Sequence, residues 1–314
     1  MFHMYLPIAG SSVNIVLILG LGGVVGLLSG IFGVGGGFLM TPLLIMFGIP
    51  PTVAAASDSN QIVGASTSGT LAHYRLGNVD MKMGTLLLIG GVLGGTVGVQ
   101  LIKILRASGH ADFLISITYV IMLGFVGSYM FFESLQSLKS DKKGDVEEKV
   151  ESVETEKKKS ILGLIMAGLP FQTEFVKSGV SMSALTPLVL GIFVGILAAI
   201  MGVGGGFIMV PVMVYMLRMP MHVVVGTSLF QILFTCINVT IMQSYTNHTV
   251  DFVLSLLLLL GSTVGAQFGT KISKRLRGDQ LKIILASLVL LVMVKMLFGL
   301  LMTPSLMLSY AGGH

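Results

Sequence analysis

The sequence is short of charge. Only 11% of its 314 residues are Asp, Glu, Lys or Arg, against 54% apolar, and mean hydropathy is +0.93. A soluble globular domain carries roughly 25% charged residues, so this shortage excludes a chain wholly surrounded by water. Cysteine is nearly missing as well. Cys236 stands alone, which rules out an intrachain disulfide and a thiolate metal cluster. Segments that alternate apolar and polar residues are absent, which argues against a membrane β-barrel. Met1–Ser12 holds no Lys or Arg ahead of the first apolar run, so the charged start of a cleaved signal peptide is lacking and that run is expected to be a retained helix. The histidines are scattered without an HExxH or similar ligand spacing, and no Walker loop, dinucleotide fingerprint or nucleophile elbow occurs. No metal, no cofactor and no enzymatic activity is therefore expected. The net charge of +5 lies in loops beside apolar spans rather than on one basic face, which disfavours a nucleic-acid partner.

What is abundant is apolar sequence in runs suited to a hydrocarbon layer about 30 Å thick, which a helix of about 20 residues crosses. Val13–Phe32, Thr85–Leu101, Phe113–Phe132, Leu254–Val264 with its flanks, and Ile283–Met302 are such runs. The fold class read from them is an all-α polytopic membrane protein. One stretch, Glu133–Ser160, is rich in both charge signs and reads as a solvated connection, partly helical. It divides the chain into a first membrane repeat (1–135), a charged linker (136–160) and a second membrane repeat (161–314).

The halves repeat each other. Gly33-Val34-Gly35-Gly36-Gly37-Phe38-Leu39-Met40-Thr41-Pro42 matches Gly202-Val203-Gly204-Gly205-Gly206-Phe207-Ile208-Met209-Val210-Pro211. Asn78-Val79-Asp80 matches Thr249-Val250-Asp251, and the ladder Gly90/Gly94/Gly98 matches Gly261/Gly265/Gly269, at an offset two residues larger than the first. Glycines spaced by four share one helix face and let two helix backbones approach closely. Asp80 and Asp251 are expected to start their helices.

Each half opens with an apolar segment longer than one crossing and shorter than two, interrupted by GVGGG and closed by Pro50-Pro51 or Pro220. The segment either crosses and adds a second element, or enters, breaks and returns. The positive-inside rule selects the second arrangement. With it, Arg75, Lys82, the linker lysines, Lys177, Arg218 and the Lys271–Lys282 cluster share the cytoplasmic side, leaving Lys103 and Arg106 outside and Lys295 in the last span. The halves are then inverted repeats, each a glycine-broken helix hairpin followed by three transmembrane helices, with a cytoplasmic linker and both termini on the periplasmic or extracellular side.

Unwound backbone at membrane depth is tolerated where it is buried in protein or lines a cavity. Glycine allows successive N–H groups to converge, and the helix that follows contributes the positive end of its dipole. A small oxyanion fits that chemistry, and inverted repeats would bring two such breaks together near the midplane. The expected substrate-binding residues are Gly33, Gly35, Gly36, Gly37 and Phe38 in the first half, and Gly202, Gly204, Gly205, Gly206 and Phe207 in the second. The span after each break begins with neutral hydrogen-bonding groups, Ser57, Ser59 and Gln61 in one half and Thr227, Ser228 and Gln231 in the other. Such groups can replace an anion's hydration without a fixed counter-charge. Ser59 pairs with Ser228, and Gln61 with Gln231, as recurring in both halves. Asp58 is the one carboxylate nearby; it either carries a coupling proton or caps the start of its span.

The doubled G-x-G-G-G-F…P element resembles that of the sulfite exporter TauE/SafE family of membrane permeases, over roughly residues 14–135 and 184–302. The resemblance implies a secondary transporter exporting sulfite or a related sulfonate across the bacterial inner membrane, with the small anion and the lipid bilayer as partners and a homodimer left open. An anion channel, or a membrane scaffold or sensor working through the charged loop, are the alternatives.

Overall fold

A computed structural model describes residues 3–32, 37–141, 172–175, 177–213, 217, 219–273 and 278–301. The chain starts with a small antiparallel hairpin, β1 (His3–Leu6) and β2 (Ser11–Asn14), paired His3 to Asn14. Five helices follow: α1 (Ile15–Phe32), α2 (Gly37–Met46), α3 (Pro51–Arg75), α4 (Met81–Ala107) and α5 (Ala111–Asp141). The second half repeats the order, with β3 (Gln172–Phe175), β4 (Val180–Ser183), α6 (Leu185–Met201), α7 (Gly206–Pro211), α8 (Met221–Met242) ending in a π turn (Gln243–Asn247), α9 (Phe252–Ser273) and α10 (Gly278–Leu301).

Among the described residues, four stretches are long and apolar enough to cross a membrane: Met81–Ala107, Ala111–Tyr129, His222–Asn247 and Phe252–Gly269. Shorter apolar helices accompany them. The all-α polytopic reading holds, and one feature lies outside it. The paired hairpins carry no sequence signal, since four-residue strands are too short to show an alternating pattern. Helix α5 runs on to Asp141, so the charged stretch begins as helix, in keeping with its partly helical reading. Residues 142–160 lie outside the described ones.

Local sequence explains the helix starts. Pro51 occupies the first turn of α3, where a missing N–H costs nothing. Asp80 caps α4 by accepting from the amides of Lys82 and Met83, and Asp251 accepts from the amide of Leu254 at the start of α9. Both aspartates are the helix-starting residues expected of them. The preceding corners turn through left-handed residues, Gly77 in one half and His248 at the matched place in the other.

The glycine ladders decide the packing. A Cβ on Gly90 would meet the backbone of Leu188, Gly191 and Ile192, and one on Gly98 would meet Ile196 and Ala199. Contacts climb together along both helices, so α4 and α6 run side by side in the same direction. Helices α1 and α9 do likewise, with Gly22 against Leu258–Ser262 and Gly265 against Gly23 and Leu27. Each half's opening helix is thus docked on a helix of the other half. Helices α5 and α10 pair the other way round, Gly124 facing Met293 and Gly127 facing Val289. At the centre α3 and α8 cross where Ile62, Ile232 and Cys236 cluster.

Candidate functional site

In the second half α6 ends at Met201, and Gly202, Gly204 and Gly205 all adopt left-handed backbone before α7 starts at Gly206. No other residue tolerates that run cheaply. Space forbids side chains as well: a Cβ on Gly202 would strike the carbonyl of Ala55, and one on Gly204 would come 2.7 Å from both Cys236 Sγ and Ile232. The break is packed directly onto the crossing of α3 and α8. Gly33, Gly35 and Gly36 of the first break lie outside the described residues. Gly37 and Phe38, which follow it, are buried.

The starts of α2 and α7 meet. The rings of Phe38 and Phe207 stack at 4.7 Å between centroids, 3° from parallel. A methyl on Gly37 would stand 3.5 Å from the Cα of Val203, inside the other break. The same residue abuts Ile62 of α3, as Gly206 abuts Ile232 of α8. Gly37, Gly204 and Gly206 thus abut the Ile62, Ile232 and Cys236 cluster, next to the stacked Phe38 and Phe207, while Gly202 and Gly205 pack on Ala55 and Val194.

Of the polar residues on α3 and α8, two face elsewhere. Ser57 Oγ accepts from the amide of Asp251, and Thr227 Oγ accepts from the amide of Asp80, both at 3.1 Å. They brace the corner of the opposite half rather than line the break. These reciprocal bonds also set the register of the repeat. Ser57 corresponds to Thr227 and Gln61 to Gln231, so Ser228 matches Asp58 and the pairing of Ser59 with Ser228 is off by one residue. Ser228 donates to the carbonyl of Val225 in its own helix. The glutamines behave as a pair. Gln61 donates to Ser262 at 2.7 Å and Gln231 to Thr235 at 2.9 Å, and in both the amide oxygen is buried without a hydrogen-bond partner. The hydroxyl of Ser59 is buried and unpartnered too.

Asp58 is not a cap. Pro50 and Pro51 begin α3, and Asp58 sits inside the helix, fully buried, one carboxylate oxygen accepting from Thr41 at 2.8 Å and the other unpartnered. Among the described residues, the Tyr119 phenol and the Cys236 thiol lie near it. Tyr119, buried on α5, donates to the carbonyl of Met201. That carbonyl belongs to the last residue of α6, and the left-handed turn at Gly202 removes its helical partner; the phenol replaces it. Thr41 and Tyr119 are the residues that sequence reasoning missed. Thr41 does stand in the repeated motif, at the one place where the copies differ in polarity, Thr41 against Val210. Tyr119 carries no comparable signal.

The model of the family described as sulfite exporter TauE/SafE matches residues 18–296. The chain belongs to the sulfite exporter TauE/SafE family. Its relatives include two from Bacillus subtilis (strain 168), the probable membrane transporter proteins YjnA, 26% identical over 91% of this chain and 100% of the relative, and YunE, 22% identical over 91% and 98%. Sulfite exporter TauE/SafE family protein 2 of Arabidopsis thaliana is 30% identical over 31% of this chain and 21% of its own length. No solved structure matches the chain. As a TauE/SafE family member the protein is a membrane-spanning transporter with a small substrate.

Proposed function

We propose that this TauE/SafE protein is a secondary transporter that exports a small sulfur-containing oxyanion, sulfite or a related sulfonate, across the cytoplasmic membrane of a bacterium. The observation that carries the reading is the Phe38–Phe207 stack, which sets the start of α2, just after the first glycine run, against the start of α7. Converging glycine backbone and helix starts offer N–H groups to an anion in a setting where water competes poorly. Ser59, Gln61 and Gln231, buried on α3 and α8 with unmet hydrogen-bonding capacity, are the side chains to bind and release it. The Arabidopsis relative's family name supports sulfite as the first anion to try.

We read the halves as inverted repeats. Helix α4 runs parallel to α6 and α1 to α9, and the α3–α4 and α8–α9 corners each dock on the other half through Asp80 and Asp251. Those contacts support opposite ends for matched corners. The positive-inside rule then assigns the Asp80 end, with Arg75, Lys82 and Lys177, to the cytoplasm together with the charged linker, and the termini to the opposite side. Asp58 is the coupling group in this reading: it is the buried carboxylate with a free oxygen nearest the second break, and a proton taken there neutralises it while substrate passes.

Reconstituted protein tests the reading. Flux of sulfite, sulfate, thiosulfate, acetate and a sulfonate should favour the sulfur anions, saturate, and show counterflow. Flux without saturation or counterflow would make the protein a channel, and equal flux of acetate and sulfite would remove the sulfur assignment.

A further inference from the structure

The two ends of the molecule differ in a way that the repeat does not require. At the Asp251 end a groove of about 540 Å³ opens between α3, the end of α8 and the start of α9. Asn60, Thr240, Ser244 and His248 line it among the apolar side chains of Ile241 and Phe252. Asn60 lies about one turn along α3 beyond Ser57, which bonds Asp251 and Ser255 at this corner. It stands between Ser59 and Gln61 in the sequence, two of the residues assigned above to the anion.

At the Asp80 end the matched features are shut. The register that pairs Gln61 with Gln231 pairs Asn60 with Phe230. The Phe230 ring fills the corresponding space, so close to α4 that a methyl on Gly84 would come 3.0 Å from it, and it packs edge-on against Phe234 at 5.1 Å. The β3–β4 turn then clasps this end. Ser178 donates from its amide and hydroxyl to Asp80 Oδ2 at 3.1 and 2.5 Å, and Lys177 Nζ donates to the carbonyls of Gly77 and Val79, both at 3.2 Å. In the β1–β2 turn the matched residues are Ile8 and Ala9, whose side chains have nothing to donate, and Asp251 Oδ2 is left buried without a partner.

We propose that the groove reaching Asn60 is the open mouth of the anion's path, and that Phe230 together with the Lys177/Ser178 clasp closes the opposite mouth. The proposal rests on the anion reading given above. Asn60, Thr240, Ser244 and His248 supply neutral or protonatable donors along the groove, the chemistry a small oxyanion exchanges for its hydration. Asn60 is then a positioning residue that hands the anion to Gln61, and Phe230 holds the matching place dry.

Cysteine accessibility tests this in oriented membrane vesicles. Asn60→Cys is treated with a charged, membrane-impermeant maleimide, with wild type, whose Cys236 is buried, as the blank. The expected result is labelling from the Asp251 face alone, slowed about fivefold by a sulfonate at a few times its half-saturating concentration. Should Asn60→Cys prove inactive, thioether labelling of Ser244→Cys in the groove, followed by removal of excess reagent, should still stop sulfite flux. Adding Phe230→Ala should make Asn60→Cys reactive from the Asp80 face as well. Labelling from both faces before that change, or sulfite flux unaffected by labelling of Ser244→Cys together with no protection of Asn60→Cys by the sulfonate, would overturn the proposal. One-sided labelling in a protein with no flux of any sulfur anion would instead overturn the anion reading and leave the open mouth standing.

Discussion

Asp80 and Asp251 begin matched helices, yet Asp80 accepts four hydrogen bonds through both carboxylate oxygens while Asp251 leaves one oxygen buried and unused. Replacement should therefore cost more at the first. Asp80→Ala loses a helix cap worth about 1 kcal/mol and two charge-assisted bonds from Ser178, each about 1.5–3 kcal/mol. Asp251→Ala loses the cap and relieves an unmet acceptor. Thermal unfolding of the purified variants in detergent should rank Asp80→Ala clearly below Asp251→Ala; equal melting temperatures would show that the Ser178 clasp contributes nothing.

Helix separation is a second lever. Gly94 faces the backbone of Ile192, whereas nothing lies within 4 Å of a Cβ on Gly20. Gly94→Leu should force α4 from α6, destabilising by more than the ~1–3 kcal/mol of ordinary overpacking. Gly20→Ala should leave stability unchanged or slightly raised, since alanine favours helix by about 1 kcal/mol over glycine. Melting temperature and monodispersity of both variants give the comparison.

The stacked phenylalanines should be coupled. In a double-mutant cycle Phe38→Leu and Phe207→Leu should show about 0.5–1.5 kcal/mol of interaction in stability. Flux should fall in either single variant, and additive stability losses would mean that the rings merely fill space.

Asp58 provides a test of coupling. If its carboxylate carries the proton, wild-type flux responds to an imposed pH gradient and Asp58→Asn loses that response while still exchanging labelled substrate, because asparagine keeps an acceptor for Thr41. A pH response that survives in Asp58→Asn would assign the proton elsewhere. Tyr119→Phe leaves the Met201 carbonyl unpaired at the break, and should cost about 1–3 kcal/mol without abolishing the pH response.

Much of this architecture was legible in the amino acids, for identifiable reasons. Glycine and proline leave unambiguous marks, so the two breaks, the ladders and the Asp-started helices could be read from repetition alone. Register was harder. Serine at 59 and 228 looked like a match by identity, and only the crossed bonds of Ser57 to Asp251 and Thr227 to Asp80 show that Ser228 stands for Asp58. The partner of Asp58 was hidden because Thr41 is 17 residues away on another helix, and hydrophobic periodicity reports a helix's buried face without naming what touches it. The hairpins escaped because their strands are shorter than any pattern that could announce them.

The exchange of opening helices between halves also bears on how the chain is made. Helix α1 leaves the ribosome long before α9, and contacts such as Gln61 to Ser262 span 201 residues. Until the second half is synthesised, the small-residue face of α1 has no protein neighbour and rests against lipid, and α4 waits likewise for α6. Neither half on its own owns a complete set of helix contacts. Biogenesis must then proceed by insertion first and closure last, and a nascent chain halted in the linker should remain open to membrane quality control.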